Sequence, residues 1–280
     1  MSEQYGLYQY TDEEIYDIYD YIALGDSIAK GYALPDPATQ CYASLFAMSH
    51  GLAYRNYGEL GLTAEQLLMA IQADMYPVSE AKLITVSAGC NDVLAPVLQM
   101  LAKTLELDLT MKVSIIAVNN RLRELFLTEP HERIKFRIEA AINAVNDNIK
   151  IEKLCDELTY NTLPRIAREI KKRNPSVQLI MTNIYNPYTS KAVFRSEDGA
   201  VDTLDLSGLF RIYAERVNSV LVSTKDYMIA DTDKFITGTD FVNSNVSADD
   251  IEAISLDPHP TVEGHRLIKK ALDAVYRPIE

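Results

Sequence analysis

Short apolar runs, several rich in β-branched residues, recur along the chain at Tyr21–Leu24, Ala53–Asn56, Lys82–Val86, Val177–Thr182 and Tyr227–Ala230. At least one helical pattern separates each run from the next, which is the alternation of a mainly parallel sheet with helical crossovers. The predicted class is therefore α/β, and each crossover is expected to be right-handed. Local signals mark some helices well. Thr63 with Gln66 spells a capping box ahead of Leu67, Leu68 and Ile71, while Ser207, Leu209, Ile212, Val217 and Val220 begin and face another helix.

One connection is oversized. Roughly 90 residues separate the third run from the fourth, where a crossover of about 30 would do. Residues 93–128 are strongly apolar at helical spacing (Val97, Leu98, Leu101, Leu105, then Val113, Ile116, Leu122, Leu125), and Ile134 to Arg173 reads as a long helix broken near Thr162–Pro164. The span 93–175 is thus predicted to be two or three inserted helices. The preferred reading is packing that extends the core; the competing one is a lid over a site for an apolar group.

With 280 residues, 48% of them apolar and 24% charged, the chain can bury a large core, and fibrous or disordered classes are set aside. A single domain over residues 1–280 is expected. The 27 basic and 40 acidic residues leave a net charge of -13, whose field repels phosphate backbones and anionic lipid headgroups. Nucleic acid is therefore not an expected partner. No apolar stretch approaches the roughly 18 residues of a membrane span, and the start MSEQYGLYQYTDEE lacks a signal-peptide layout, so the chain reads as cytoplasmic. Cys41, Cys90 and Cys155 form no CxxC or Cys/His cluster, which suits a reducing compartment and disfavours zinc. Tyr5, Tyr8, Tyr10, Tyr16, Tyr19 and Tyr21 crowd the amino terminus, where Thr11 with Glu14 could cap a short helix. Packing on a sheet edge or another subunit explains such tyrosines without a ligand.

Candidate chemistry sits at the strand ends. The first run leads into Leu24-Gly25-Asp26-Ser27, placing Ser27 on a strand-to-helix turn that exposes a nucleophile; a capping serine has the same look. Asn56-Tyr57-Gly58-Glu59-Leu60-Gly61 precedes the capped helix at Thr63, bringing the Gly61 amide near a helix amino terminus that can hold an anion. Ser87-Ala88-Gly89-Cys90-Asn91-Asp92 offers the Asn91 amide at a third strand end, although both segments also fit turn chemistry. In Asp257-Pro258-His259-Pro260-Thr261-Val262-Glu263-Gly264-His265, two prolines brace His259 in a loop beside a carboxylate, as befits a general base.

These four pieces, in this order, resemble the SGNH hydrolases, also called GDSL-type esterases, named for the serine, glycine, asparagine and histidine of four sequence blocks. The resemblance spans Tyr21 to the last helix and covers the inserted region poorly. No GxSxG motif occurs, which argues against an α/β-hydrolase. The resemblance implies a three-layer α/β/α fold with a five-stranded parallel sheet in the flavodoxin-like order 2-1-3-4-5, so that Ser27, Gly61 and Asn91 converge at the switch point. It further implies that Ser27 is the nucleophile, that the Ser27 and Gly61 amides and the Asn91 side chain form an oxyanion hole, and that His259 is the base. No cofactor or metal is expected, and the expected partner is a small-molecule ester, with the apolar insertion favouring an acyl chain.

One position departs from the family pattern. The orienting aspartate should stand three residues before the histidine, where this chain has Leu256; Asp257 stands two before. Either Asp257 reaches the imidazole Nδ1, the preferred reading, or a backbone carbonyl orients a Ser-His dyad. A catalytically silent binding module is the competing class, with acetylesterase and thioesterase chemistry as alternatives within the family. Asp26 and Asp92 are read as turn and cap residues, Cys90 as packing, His265 as packing or surface, His50 as a helix end and His131 as solvated. Asp231-Thr232-Asp233 lacks the spacing of a calcium loop, and Ile184–Tyr188 reads as either pocket lining or a structural turn.

Overall fold

The computed structural model describes residues 19–110 and 113–279. Strand β1 (Tyr21–Gly25) turns into helix α1 (Ser27–Lys30); α2 (Pro37–Gln40) and α3 (Tyr42–His50) lead back to β2 (Tyr54–Gly58). Helix α4 (Ala64–Gln72) connects to β3 (Leu83–Ser87), and after the insertion comes β4 (Gln178–Thr182). The insertion holds α5 (Cys90–Thr104), α6 (Ile115–Thr128), α7 (His131–Asn146), α8 (Ile149–Glu157) and α9 (Leu163–Arg173). The remainder is β5 (Lys191–Arg195), β6 (Val201–Asp205), α10 (Arg211–Asn218), β7 (Met228–Ala230), α11 (Thr232–Phe235), β8 (Val242–Asn245), β9 (Ser255–Pro260) and α12 (Val262–Asp273).

Five parallel strands form the central sheet in the order β2-β1-β3-β4-β7, the flavodoxin-like arrangement. The chain steps one way from β1 to β2 and the other way from β2 to β3, so right-handed crossovers put the intervening helices on opposite faces. Helices α3 and α12 accordingly pack together, as do α4 and α9. All of β1 and β3 is buried, which is why their sequences are continuously apolar rather than alternating. Edge strand β2 is only half-buried, and carries Arg55 and Asn56.

Four local expectations need correction. The long helix expected from Ile134 to Arg173 is interrupted at Asp147-Asn148, because the Asn148 side chain accepts from the Lys150 and Ile151 amides and starts α8. Near Thr162–Pro164 the helix is not broken; a π-helical turn over Leu158–Thr162 joins α8 to α9 and accommodates the proline, which lacks an N–H. The helix at Ser207 starts as a 3-10 turn over Leu206–Leu209, and a kink at Phe210 shifts the phase. Leu209, Tyr213 and Val217 therefore face inward while Ile212 and Val220 face solvent. Finally, the antiparallel pairs β5-β6 and β8-β9 escape the sequence reading because each is short and lies outside the main sheet.

In the insertion, Val97, Leu101, Leu105, Leu122 and Leu125 are fully buried, as the spacing predicts, whereas Ile116 is exposed. These side chains join the same apolar cluster as the sheet, and α6 is tied to β9: Asn119 accepts from the Leu256 amide at 2.8 Å and donates to Ser255 Oγ at 3.3 Å. Among the described residues no helix is long and apolar enough to cross a membrane. Of the amino-terminal tyrosines, Tyr5, Tyr8, Tyr10 and Tyr16, with the Thr11–Glu14 cap, lie outside the described residues. Tyr21 is buried in β1, and the Tyr19 hydroxyl accepts from Arg55 on β2.

Candidate active site

Strand β1 ends at Gly25, whose φ of 146° and close approach to β3 both demand glycine: a Cβ there would run into the Ser87 carbonyl oxygen. The next residue, Asp26, caps α1 by accepting from the Ile28 amide at 2.9 Å. Ser27 is thereby presented at the first position of α1, 7% exposed. The carboxyl of Asp26 is buried, and among the described residues its Oδ2 has no hydrogen-bond partner. Burial pushes this carboxyl up to about 7, against the opposing pull of the Ile28 amide and of His259.

His259 comes to Ser27 from the other end of the chain. Its Nε2 lies 2.9 Å from Ser27 Oγ, and its Nδ1 hydrogen-bonds Asp257 Oδ1, which also accepts the His259 backbone amide at 3.0 Å. The segment is not the loop that its prolines suggest but strand β9, in which Leu256, Pro258 and Pro260 point inward. Side chains two apart share a face of a strand, so Asp257 and His259 stand side by side. This explains the departure from the family spacing: in extended backbone the second residue, not the third, is the neighbour. Prolines are tolerated because, among the described residues, β9 pairs with β8 alone.

Ser27 and His259 open onto a cleft of about 300 Å³ that Gly61 and Asn91 also line. Gly61 has φ 71°, the left-handed region, which turns the chain between β2 and α4. The amino terminus of α4 itself is not open to an anion as expected: Asp92 Oδ2 accepts from the Ala64 amide at 3.0 Å, and the Thr63–Gln66 capping box is formed. Asn91 donates through Nδ2 to the Leu62 carbonyl at 3.0 Å. An amide nitrogen carries two N–H groups, so one can hold Leu62 while the other faces a ligand.

Two features of the site went unnoticed in the sequence. Tyr32, 43% exposed, lines the cleft with its ring 4.6 Å from that of His259. Asn119 anchors β9 from the insertion, its one signal being an amide inside an apolar helical stripe. Tyr185 and Tyr188 lie buried beneath β9, donating to the carbonyls of Pro258 (2.8 Å) and Leu256 (3.3 Å), so Ile184–Tyr188 supports the strand rather than lining the Ser27 cleft.

The other titratable candidates sit apart from Ser27 or serve the fold. His265 is fully buried; its Nδ1 accepts from the Tyr42 amide, and burial, aided by His259, lowers it to about 3. His50 meets Asp273 at the end of α3. His131 is not simply solvated: its ring lies tilted against Phe126, and it accepts from the Arg195 amide at 3.0 Å, joining α7 to β5. Asp231 caps α11, and Asp233 accepts from the Asn186 amide. Cys90 is buried, and burial raises its thiol.

The solved structures similar to this chain share its fold at low identity. A lipolytic protein of the G-D-S-L family from Veillonella parvula is 15% identical, with a TM-score of 0.50 and coverage of 91% of this chain and 97% of that one. A phospholipase A1 from Streptomyces albidoflavus is 14% identical, with a TM-score of 0.50 over 91% of this chain and 98% of that one. No curated protein sequence matches the chain. The GDSL-like lipase/acylhydrolase family matches residues 23–267, which takes in the Gly-Asp-Ser turn, the glycine and asparagine loops and His259, and the chain belongs to that family.

Proposed function

We propose that the protein is a serine esterase that cleaves carboxylic esters through an acyl-enzyme on Ser27. The observation that carries this reading is the run of contacts from Ser27 Oγ to His259 Nε2, and from His259 Nδ1 to Asp257. A serine hydroxyl is a poor nucleophile until a base removes its proton. His259 takes that proton as Ser27 Oγ attacks the ester carbonyl carbon, and the carbonyl electrons move onto oxygen. Asp257 holds the imidazole in the tautomer with Nδ1 protonated and stabilises the imidazolium. The Ser27 and Gly61 amides and the Asn91 side chain are the donors proposed for the oxyanion. Its collapse breaks the bond to the alcohol oxygen, which leaves with the proton from His259. Water, deprotonated by the same imidazole, then attacks the acyl-enzyme, releases the acid and restores Ser27.

The silent binding module drew its support from the displaced aspartate and from the large insertion, and the contact between Asp257 and the His259 imidazole favours the esterase reading against the first of these. Labelling with a fluorophosphonate beside hydrolysis of p-nitrophenyl esters tests the reading. Wild type is expected to be labelled and active, Ser27→Ala to lose both while remaining folded, and Asn91→Ala to lose about 10²–10³ in kcat, the usual effect of removing one oxyanion donor. Hydrolysis that survives Ser27→Ala, or a wild type that neither hydrolyses nor labels, would overturn it.

A further inference from the structure

Four groups surround the carbonyl carbon once Ser27 Oγ has attacked: Oγ itself, the oxyanion, the alcohol oxygen and the acyl carbon. Two directions are assigned if Ser27 acts as proposed above, on which this inference rests. The oxyanion turns toward Gly61 and Asn91, and the alcohol oxygen must come within hydrogen-bond reach of His259 Nε2 to receive its proton. The alcohol therefore leaves along the His259 side of the cleft, where Tyr32 lies 4.6 Å from the imidazole ring. The acyl carbon takes the remaining direction.

That direction has a built wall. Leu94 and Leu98 follow Asn91 on α5 at intervals of three and seven residues, on one helical face, so an apolar strip extends about 10 Å from the oxyanion donor. Ile115 at the start of α6 faces the same cleft, and α6 is held to β9 through Asn119. The two sides differ in access to water: Leu94 and Leu98 are each 8% exposed, Tyr32 43%. An apolar strip rewards burial of methylenes, whereas the half-exposed Tyr32 offers a ring and a hydroxyl at the solvent edge.

We propose that the cleft is partitioned, with Leu94, Leu98 and Ile115 receiving the acyl chain and Tyr32 bordering the alcohol. The substrate class is then an ester of an apolar, medium-length acid whose alcohol portion stays at the solvent boundary. Tyr32 is a specificity-determining residue for the alcohol, and Leu98 one for the chain length.

Two ester series run on wild type, Leu98→Phe, Leu98→Ala and Tyr32→Ala test the partition. One series varies the acyl group from acetyl to palmitoyl on p-nitrophenol; the other varies the alcohol (methyl, glyceryl, benzyl) on an octanoyl group. Wild type is expected to prefer octanoyl or decanoyl over acetyl by tenfold or more in kcat/KM. Leu98→Phe should cut the decanoyl-to-acetyl ratio at least tenfold and Leu98→Ala should move the optimum to longer chains, both with the alcohol ranking kept. Tyr32→Ala should reorder the alcohol series with the acyl optimum kept. A flat or acetyl-only wild-type profile overturns the proposal, as do Leu98 variants that leave the acyl profile unmoved or a Tyr32→Ala effect confined to chain length. Fluorophosphonate labelling separates the two levels: labelled, active enzymes with unshifted profiles remove only the partition, whereas no labelling and no hydrolysis by wild type remove the esterase reading and the partition with it.

Discussion

Two buried residues pull the stability of this protein in opposite directions with pH. Asp26 is raised to about 7 by burial, so between its unfolded value of 3.8 and 7 the unfolded chain has lost a proton that the folded one keeps. Its contribution is full below 3.8 and fades as pH rises through 7. His265 is lowered from 6.5 to about 3, so its contribution is present above 6.5 and is lost as pH falls toward 3. Between pH 4 and 6.5 the two slopes oppose one another and flatten the wild-type curve. Asp26→Asn keeps an acceptor for the Ile28 amide and removes the titration. The melting temperature of Asp26→Asn is expected to exceed that of wild type by a margin that grows from pH 4 to 7, on the order of a few kcal/mol in stability. Parallel curves for the two proteins would show that Asp26 does not titrate in this window. The Asp257 question also belongs to this scale: the sequence left a triad and a dyad open because spacing alone does not say whether the backbone is a loop or a strand.

Between residue and molecule, the element that matters most is β9. It brings Asp257 and His259 to Ser27, yet it lies outside the central sheet and, among the described residues, pairs only with β8. Its position depends on Tyr185 and Tyr188 beneath it and on Asn119 from the insertion. A buried N–H that loses its acceptor costs about 1–3 kcal/mol. Asn119→Leu leaves the Leu256 amide in that state and should lower the melting temperature accordingly. Ser255→Ala removes the Asn119 contact and an acceptor of the Asp257 amide, and should cost less because Asp257 is only half-buried and its amide can turn to water. Equal losses, or none, in a thermal melt would mean that Asn119 does not anchor the strand. The insertion was legible as helices from its spacing, but not what α6 attaches to, because that residue is 136 positions away in sequence.

For the whole molecule, a net charge of -13 acts on any approaching substrate. Raising ionic strength from about 0.01 to 0.15 M shortens the Debye length from about 30 to 8 Å, so kcat/KM for an anionic ester should rise while that for a neutral ester of the same acyl chain stays level. The same salt response for both esters would count against electrostatic repulsion at the cleft. The central strands β1 and β3 were legible because each is a compact run buried on both faces, the edge strands β2 and β7 because short β-prone runs stand between helical patterns, and the Thr63–Gln66 cap because its chemistry lies within four residues. The resemblance to a known family put the strands in order and brought Ser27, Gly61, Asn91 and His259 together as candidates, a convergence that periodicity alone does not carry. What the sequence determined by itself is therefore local: strands, caps, most helical faces, the excess of negative charge and the residue types available for chemistry. Only the tertiary structure decided that Asp257 faces Nδ1, that Tyr32 borders the imidazole, that Asp92 closes the helix end offered to an anion, and that Asn119 ties the insertion to β9. The first is a contact two residues apart that depends on the segment being a strand and not a loop; the other three join segments far apart in the chain, brought together by folding the sheet and its two helical layers around one core, and no pattern within a few turns or strands encodes them.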